Sequence, residues 1–273
     1  MNAEHARFWQ ARALGKVELL HAQYREQRFA PHVHAGYVFT VIESGAQRFR
    51  HRGSDHLAAV GGMVLINPDE LHTGSKAHES GWRYRAFYPE QEAVSAVLAE
   101  LDIVTGGLPG FANSVLHDPQ VAGHFAALHR LCEQGASALQ QQLAWREALL
   151  LLFRRHARIA EPRQVGREPV AVARARELMG ARLIDPPSLE ELADEVGLSP
   201  FHFARTFRRA TGLPPHAWLK QRRLEQARAL LRDGCAPLSV AMQLGFADQS
   251  HLSRQFKQAY GIAPGAYRQA CQG

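Results

Sequence analysis

The chain has 273 residues, an apolar fraction of 46% and a net charge of +6, which excludes a disordered tail or a small disulfide scaffold and suits two domains with cores of their own. All of the excess positive charge falls after residue 162, where 16 basic residues meet 10 acidic ones, while the first 162 residues balance; a basic half beside a neutral half suits a nucleic-acid binder joined to something else. The three cysteines, Cys132, Cys235 and Cys271, form no Cys-x-x-Cys, and the chain shows neither a signal-peptide run nor about 18 consecutive apolar residues, so a cytoplasmic protein without membrane contact is expected.

From Val17 to about Pro89 the texture is that of short strands. Tyr37-Val38-Phe39-Thr40-Val41-Ile42 is β-branched and aromatic on both faces, and Ser44-Gly45, Arg52-Gly53, Gly61-Gly62 and Ser80-Gly81 punctuate the runs at all-β spacing. Gln47 to Arg52 is largely polar and reads as an exposed strand. In Pro31-His32-Val33-His34 the period of a strand puts His32 and His34 on one face. From about Gln91 the texture turns helical. Val121 to Glu133 is amphipathic. Leu139 to His156 is a second helix, with Leu139, Leu143, Arg146, Leu150 and Phe153 along one side. The run Leu149 to Phe153 is apolar all round, which fits either core packing or a dimer interface. Ile159 to Pro169 carries prolines, a glycine and charges, and reads as a linker.

The last third of the sequence says one thing twice. A helix from Val170 to about Leu183 is stopped by Pro186-Pro187. Ser188-Leu189-Glu190-Glu191 is a capping box, and Leu189, Leu192, Ala193 and Val196 form an apolar stripe. Gly197 allows the left-handed turn, Ser199 caps the next helix and Pro200 opens it. In that helix Phe203 and Phe207 face inward, so Phe201, His202, Ala204, Arg205, Arg208 and Arg209 face outward. The second copy runs through Val240, Ala241, Leu244, Gly245 and Asp248 to Leu252 and Phe256, with Gln249, Ser250, His251, Ser253 and Arg254 presented outward. Pro215 to Arg232, a helix of ~27 Å, joins the copies. Two helix-turn-helix units on such a rod suit two successive major grooves, ~34 Å apart. Arginine reads guanine and glutamine reads adenine, at ~1–3 kcal/mol per good pair. Arg208, Arg209, Lys220, Arg222, Arg223, Lys257 and Arg268 are better placed for phosphates.

Ala193-x3-Gly197-x-Ser199, Arg205-x-Phe207, Gly212-x2-Pro215-x2-Trp218 and Arg223-Leu224, followed by Gly245-Phe246-x3-Ser250-x-Leu252-x-Arg254-x-Phe256-Lys257, Gly261-x2-Pro264 and Tyr267-Arg268, resemble the DNA-binding domain of the AraC/XylS family of bacterial transcription regulators. The resemblance covers about residues 170–270. It implies base reading by Phe201, Ala204 and Arg205 in the first unit, with His202 beside them, and by Gln249, Ser250, His251, Ser253 and Arg254 in the second. His32-x-His34 and Gly62-x5-Pro68 followed by His72 resemble the two cupin motifs, which implies a β-barrel with a small-molecule pocket. His32, His34, Tyr37, His72, Trp82 and Arg85 are the pocket candidates. Val38-Phe39 stands where a cupin metal site usually has a carboxylate, so no metal is expected, with His32, His34 and His72 as its ligands should one be found.

The expected fold is α+β in two domains. A cupin-like effector-binding and dimerisation domain spans 1–160, with a barrel at about 15–90 and helices at about 91–158. A linker covers 161–169. An all-α domain spans 170–273, with helix-turn-helix units at about 189–210 and 238–260 joined by a long helix. The expected function is sequence-specific transcription regulation, as an activator, under a small-molecule effector and without enzymatic activity or cofactor. The expected partners are double-stranded DNA, RNA polymerase and a second copy of the chain. The alternative is a metal-dependent cupin enzyme fused to a basic DNA-binding domain.

Overall fold

The computed structural model describes residues 4–15, 17–101, 103, 109–158 and 170–272; the linker expected at 161–169 lies outside them. The chain divides into two compact units, the first through residue 160 and the second over residues 161–272.

The first unit opens with antiparallel strands: β1 (His5–Ala11), β2 (Val17–Tyr24), β3 (Phe29–His32), β4 (Val38–His51), β5 (Ser54–Ala59), β6 (Met63–Ile66), β7 (His72–Lys76) and β8 (Trp82–Tyr88). Helix α1 (Gln91–Glu100), the short strands β9 (Gly110–Phe111) and β10 (Val115–Leu116), helices α2 (Pro119–Glu133) and α3 (Ala138–His156), and strand β11 (Ala157–Arg158) follow. The sheet runs β1-β2-β8-β4-β6-β10, and β4 is long enough to pair with β8 and β6 in its first half and with β5 and β7 in its second. β1 precedes the expected start of the barrel, yet it pairs with β2 along its whole length. The strand at Gln47–Arg52 is not simply exposed: Phe49 and His51 are buried while Arg48 and Arg50 face out.

The helices pack their apolar stripes on one face of the sheet. Phe125 and Leu128 of α2 and Trp145, Leu149, Leu152 and Phe153 of α3 meet Leu19, Phe39, Val41 and Phe87. Asp118 caps α2 through Gln120 N and Val121 N, and Ser137 caps α3 in a box with Gln140. The buried side of α3 differs from the one expected. Leu139 and Leu143 are 74% and 57% exposed. The cause is sequence ambiguity: α3 carries leucines around most of its circumference, so its wheel alone does not choose a face. Leu149, Leu152 and Phe153 of the apolar run belong to the core.

The second unit is all-helical: α4 (Val170–Ala181), α5 (Leu189–Glu195), α6 (Pro200–Thr211), α7 (Pro215–Arg232), α8 (Pro237–Gln243), α9 (Gln249–Tyr260) and α10 (Pro264–Gln272). Local signals set its boundaries. Ser188 and Glu191 exchange both capping hydrogen bonds, Ser199 caps α6 and Asp248 caps α9. Gly197 and Gly245 turn the chain at φ of 67° and 69°, a region costly for any residue with a Cβ. On α5, Leu192 and Ala193 are buried, whereas Leu189 and Val196, expected in the same stripe, are exposed and half-buried. α7 buries Trp218, Leu219, Leu224, Ala227 and Leu231 and serves as the core helix between the two helix-turn-helix units.

Candidate functional site

Strand alternation separates two buried faces in the first unit. Leu19, Phe39, Val41 and Phe87 face the helices. Their neighbours Leu20, Ala22, Tyr24, Ile42, Trp82, Tyr84 and Ala86 are as deeply buried but belong to no part of that helix-packed core. They face the other way, into the inside of the β-domain.

Three histidines meet on the second half of the strands. His32 ends β3 and is the cross-strand partner of His72, which begins β7; His51 of β4 is the partner of His72 on its other side. The His32 and His72 rings lie 4.3 Å apart, and His34 lies 5.0 and 5.2 Å from them. All three are buried, and one ring nitrogen of each lies within 4.8 Å of the others. His32 Nδ1 donates to the Ala30 carbonyl at 2.7 Å, and His72 Nδ1 donates to the Glu70 carbonyl at 3.0 Å. Burial, with His32 and His51 close by, holds the His72 pKa well below the ordinary histidine value. The rings continue into an aromatic lining: His34 lies against Tyr88, His32 against Phe29, and Phe29 against Tyr24.

Tyr24 and Trp82 are cross-strand partners with rings 5.6 Å apart, and Trp82 stacks on Tyr84. The Tyr24 hydroxyl and the Trp82 indole N–H are buried with no hydrogen-bond partner among the described residues. Burial raises the Tyr24 pKa, so its hydroxyl stays a neutral donor. Unmet donors in such a place are costly unless a ligand or water accepts from them.

Two expected pocket residues are elsewhere. Tyr37 sits on the helix side, its hydroxyl donating to the Pro109 carbonyl at 2.7 Å. Arg85 is also on the helix side, because it alternates with Tyr84 and Ala86. Its guanidinium donates to Glu43 at 2.6 Å, to Glu133 at 2.6 Å and to His129 Nδ1 at 2.9 Å. His129 donates its other nitrogen's hydrogen to the Leu20 carbonyl. Arg85 therefore holds α2 to the sheet. His32, His34, His72 and Trp82 remain on the inner side.

Sequence reasoning missed a polar network beside the histidines. His51 is 2.8 Å from Ser114 Oγ and 2.9 Å from Glu70 Oε2. Arg52 donates to both Glu70 oxygens and to the carbonyls of Phe111 and Ala112. Asn67 closes the same turn by accepting from Phe111 N and donating to its carbonyl. Reading Gln47–Arg52 by strict alternation would have turned His51 inward; Ser114 had no signal, since it reaches His51 from 63 residues away.

In the second unit α6 and α9 present the expected outward side chains. Phe201 is 78% exposed, and His202, Arg205, Arg208 and Arg209 are exposed while Ala204 is half-buried. On α9 Gln249, Ser250, Arg254 and Lys257 are exposed and His251 and Ser253 half-buried. Arg205 and Arg254 have no carboxylate partner among the described residues, in contrast to Arg174, Arg182 and Arg222. His251 is turned along its own helix: it accepts from Ala247 N, meets the Gln255 amide and lies edge-on to Phe246. Lys220 and Arg268 are half-buried. Arg223, expected at phosphates, donates instead to the Leu183 and Ile184 carbonyls and so caps the chain leaving α4.

Residues 14–152 match the family described as the AraC-like ligand binding domain, and residues 192–270 match a helix-turn-helix domain. The chain is 26% identical over 226 residues to the HTH-type transcriptional regulator YbfI of Bacillus subtilis, covering 83% of this chain and 82% of that one. It is 25% identical over 240 residues to the arabinose operon regulatory protein of Escherichia coli, covering 87% and 82%. The crystal structure of ToxT from Vibrio cholerae shares the fold, with a TM-score of 0.56 at 11% identity over 99% of this chain and 98% of that one. Nothing in these likenesses supports the enzyme alternative, and no helix among the described residues is long and apolar enough to cross a membrane. The chain belongs to the AraC family of DNA-binding transcription regulators, with a ligand-binding domain ahead of its helix-turn-helix domain.

Proposed function

We propose that a small molecule bound on the inner side of the β-domain controls a two-headed reader of duplex DNA in the cytoplasm. Arg205 and Arg254 are the central base-reading side chains, with Phe201, His202, Ala204, Gln249, Ser250, His251 and Ser253 around them. Arg208, Arg209, Lys220, Lys257 and Arg268 meet phosphates. The observation that carries the reading is the matched pair of exposed arginines without a carboxylate partner among the described residues, each on a helix whose N-terminus is capped by Ser199 or Asp248. Arg205→Ala and Arg254→Ala should each lose sequence preference in binding-site selection from a random DNA pool, with unchanged circular dichroism. Selection of the same site by both variants overturns the assignment.

The effector is a compact molecule bearing oxygen acceptors. The Tyr24 hydroxyl and Trp82 N–H have no acceptor among the described residues, and Arg85, the arginine expected in the pocket, is paired with Glu43 and Glu133 on the other face. ToxT, with the same fold, has been crystallised with an unsaturated fatty acid bound. Control requires that the effector prefer one of two arrangements. A chain of contacts supports where it acts: the Glu70 carbonyl holds His72, the Glu70 carboxylate holds Arg52, and Arg52 holds Phe111 of β9. β9 pairs with β11, the last described strand before residues 159–169. Arg52→Ala should keep effector affinity in calorimetry and lose the effector's influence on operator affinity. We also propose that the protein works as an activator contacting RNA polymerase, and as a homodimer through the Leu139 and Leu143 side of α3.

A further inference from the structure

We propose that His251 is a positioning residue of the second reader: its ring straps the first turn of α9 to the turn ahead of it, and so aims Gln249, Ser250 and Arg254 without itself reading a base. This deepens the DNA-reading role proposed above and rests on it.

The first support is where the ring nitrogens go. Ala247 N donates to His251 Nδ1 at 3.3 Å. A main-chain N–H only donates, so Nδ1 carries the lone pair and the hydrogen of the neutral ring is on Nε2. Nε2 meets the Gln255 amide, one helical turn later. An amide nitrogen does not accept, so Gln255 turns its oxygen to the ring, which a half-turn of the amide supplies. That oxygen is otherwise buried without a partner among the described residues, a costly state that the bond ends. Both ring nitrogens are thereby engaged within the protein. The ring is half-buried and edge-on to Phe246 at 5.6 Å, with no polar atom left for a base edge.

The second support is what the strap connects. Phe246 is buried, and its N–H donates to the Ala241 carbonyl of α8 at 3.0 Å. His251 N donates to Asp248 Oδ1 at 2.6 Å. The turn is thus tied to α8 at one end, and to α9 through both the backbone and the ring of His251. Gln249 and Ser250 lie inside the strapped segment, and Arg254 follows His251 by three residues, as its neighbour on the helix surface. Holding these side chains before DNA arrives removes part of the ordering cost of binding.

The third support is the comparison within the chain. His202 stands three residues before Arg205, as His251 stands before Arg254. The turn ahead of α6 closes in the same way, Leu198 N donating to the Ala193 carbonyl at 2.9 Å. Yet His202 is exposed, and its ring has no hydrogen-bond partner among the described residues. Thr206, a shorter side chain, takes the place of Gln255. One residue type is thus open to DNA in the first reader and engaged as a brace in the second.

The test selects binding sites from a random DNA pool with the full chain and scores each base pair of the second half-site. His251→Leu should weaken binding at least about fivefold, the worth of one net hydrogen bond. It should flatten the preference at every base pair that α9 reads and leave the first half-site unchanged. His251→Asn, whose Oδ1 stands in for Nδ1 toward Ala247, should restore binding to within about twofold. Nitrogen NMR of the ring at about pH 8, above the ordinary histidine range, should show hydrogen on Nε2, in a signal that His251→Asn removes. A loss confined to one base pair makes the ring a reader and overturns the proposal, as does His251→Asn binding no better than His251→Leu, or hydrogen found on Nδ1. The spectrum decides by itself should His251→Leu fail to fold. Arg254→Ala separates the two readings. Relaxed preference at one base pair in that variant, beside any of the overturning results, removes the strap and leaves DNA reading by α9 standing. An unchanged site with Arg254→Ala removes that DNA reading, and the positioning role with it.

Discussion

Arg85→Met is the sharpest test of how the first unit is held together. Arg85 is 6% exposed and its guanidinium makes two 2.6 Å charged hydrogen bonds, to Glu43 on the sheet and Glu133 on α2, and a third to His129. Methionine keeps an unbranched apolar stem but removes the guanidinium, and leaves two half-sheltered carboxylates without their shared cation. Removing one partner of a buried pair costs about 3–5 kcal/mol. Arg83, Arg7 and Arg130 lie within 4 Å of the same carboxylates and His21 bridges them, so the lower end, ~3 kcal/mol, is expected. At a slope of ~2 kcal/mol per molar urea this moves the midpoint of the first unit by ~1.5 M. Fluorescence of Trp82 and Trp145, both buried in that unit, reports it. A shift under ~0.3 M would refute the view that Arg85 clamps α2 to the sheet and would return it to the list of pocket residues. The same cluster sets an acid limit. Burial, and then Arg85, hold the His129 pKa at about 3 rather than 6.5, so the unfolded chain takes up a proton first as pH falls. Glu43 is lowered from 4.5 to about 2, chiefly by its hydrogen bond to His21. Both groups bind protons more readily unfolded, so stability falls with pH, by ~1.4 kcal/mol per unit for each group. The loss starts below pH 6.5 with His129 and steepens below pH 4.5 with Glu43. A flat stability from pH 7 to 4 would contradict it.

Gly245→Ala should destabilise the second unit more than Gly197→Ala. Both turn at positive φ, where alanine costs about 1–2 kcal/mol, but a Cβ at Gly245 meets the Ile184 carbonyl at 3.2 Å and Arg223 at 3.3 Å, while Gly197 has open space; equal denaturation midpoints would reject the difference. Lys257→Ala should weaken binding to all DNA sequences alike and reduce the slope of log affinity against log salt by about 1, whereas Arg254→Ala should relax the preference at one position by ~1–3 kcal/mol. Titrations against matched and scrambled duplexes separate the two, and a sequence-dependent loss for Lys257→Ala would reverse the roles. Leu143→Glu should convert the protein to monomer in sedimentation without changing its melting, because Leu143 is 57% exposed and outside the core; an unchanged sedimentation coefficient argues against that face.

The second unit was legible because its signals are local. Ser188 with Glu191, Ser199 with Pro200, and Asp248 each fix a helix start within four residues, and Gly197 and Gly245 fix the turns. Arg223 was misread because its partners, the carbonyls of Leu183 and Ile184, lie some 40 residues earlier in sequence. In the first unit His32 and His34 were visible as a pair, and the pairing of β3 with β7 brought His72 to them. The split between Trp82 and Arg85 follows from strand parity, which the sequence shows only once one residue is known to face inward. The side of α3 was undecidable from its own leucines, since the sheet chooses which of them to cover.

β9 and β11 are each two residues long and pair only over Gly110–Phe111 and Ala157–Arg158. So short a ladder opens at little cost compared with the long β4–β8 seam. The two ends are not equally anchored: Phe111 is gripped by Asn67 and Arg52, so β11 peels while β9 stays. The first unit thus carries a fuse where its chain departs, and amide hydrogen exchange should open the β9–β11 ladder long before it reaches Phe39 or Phe87.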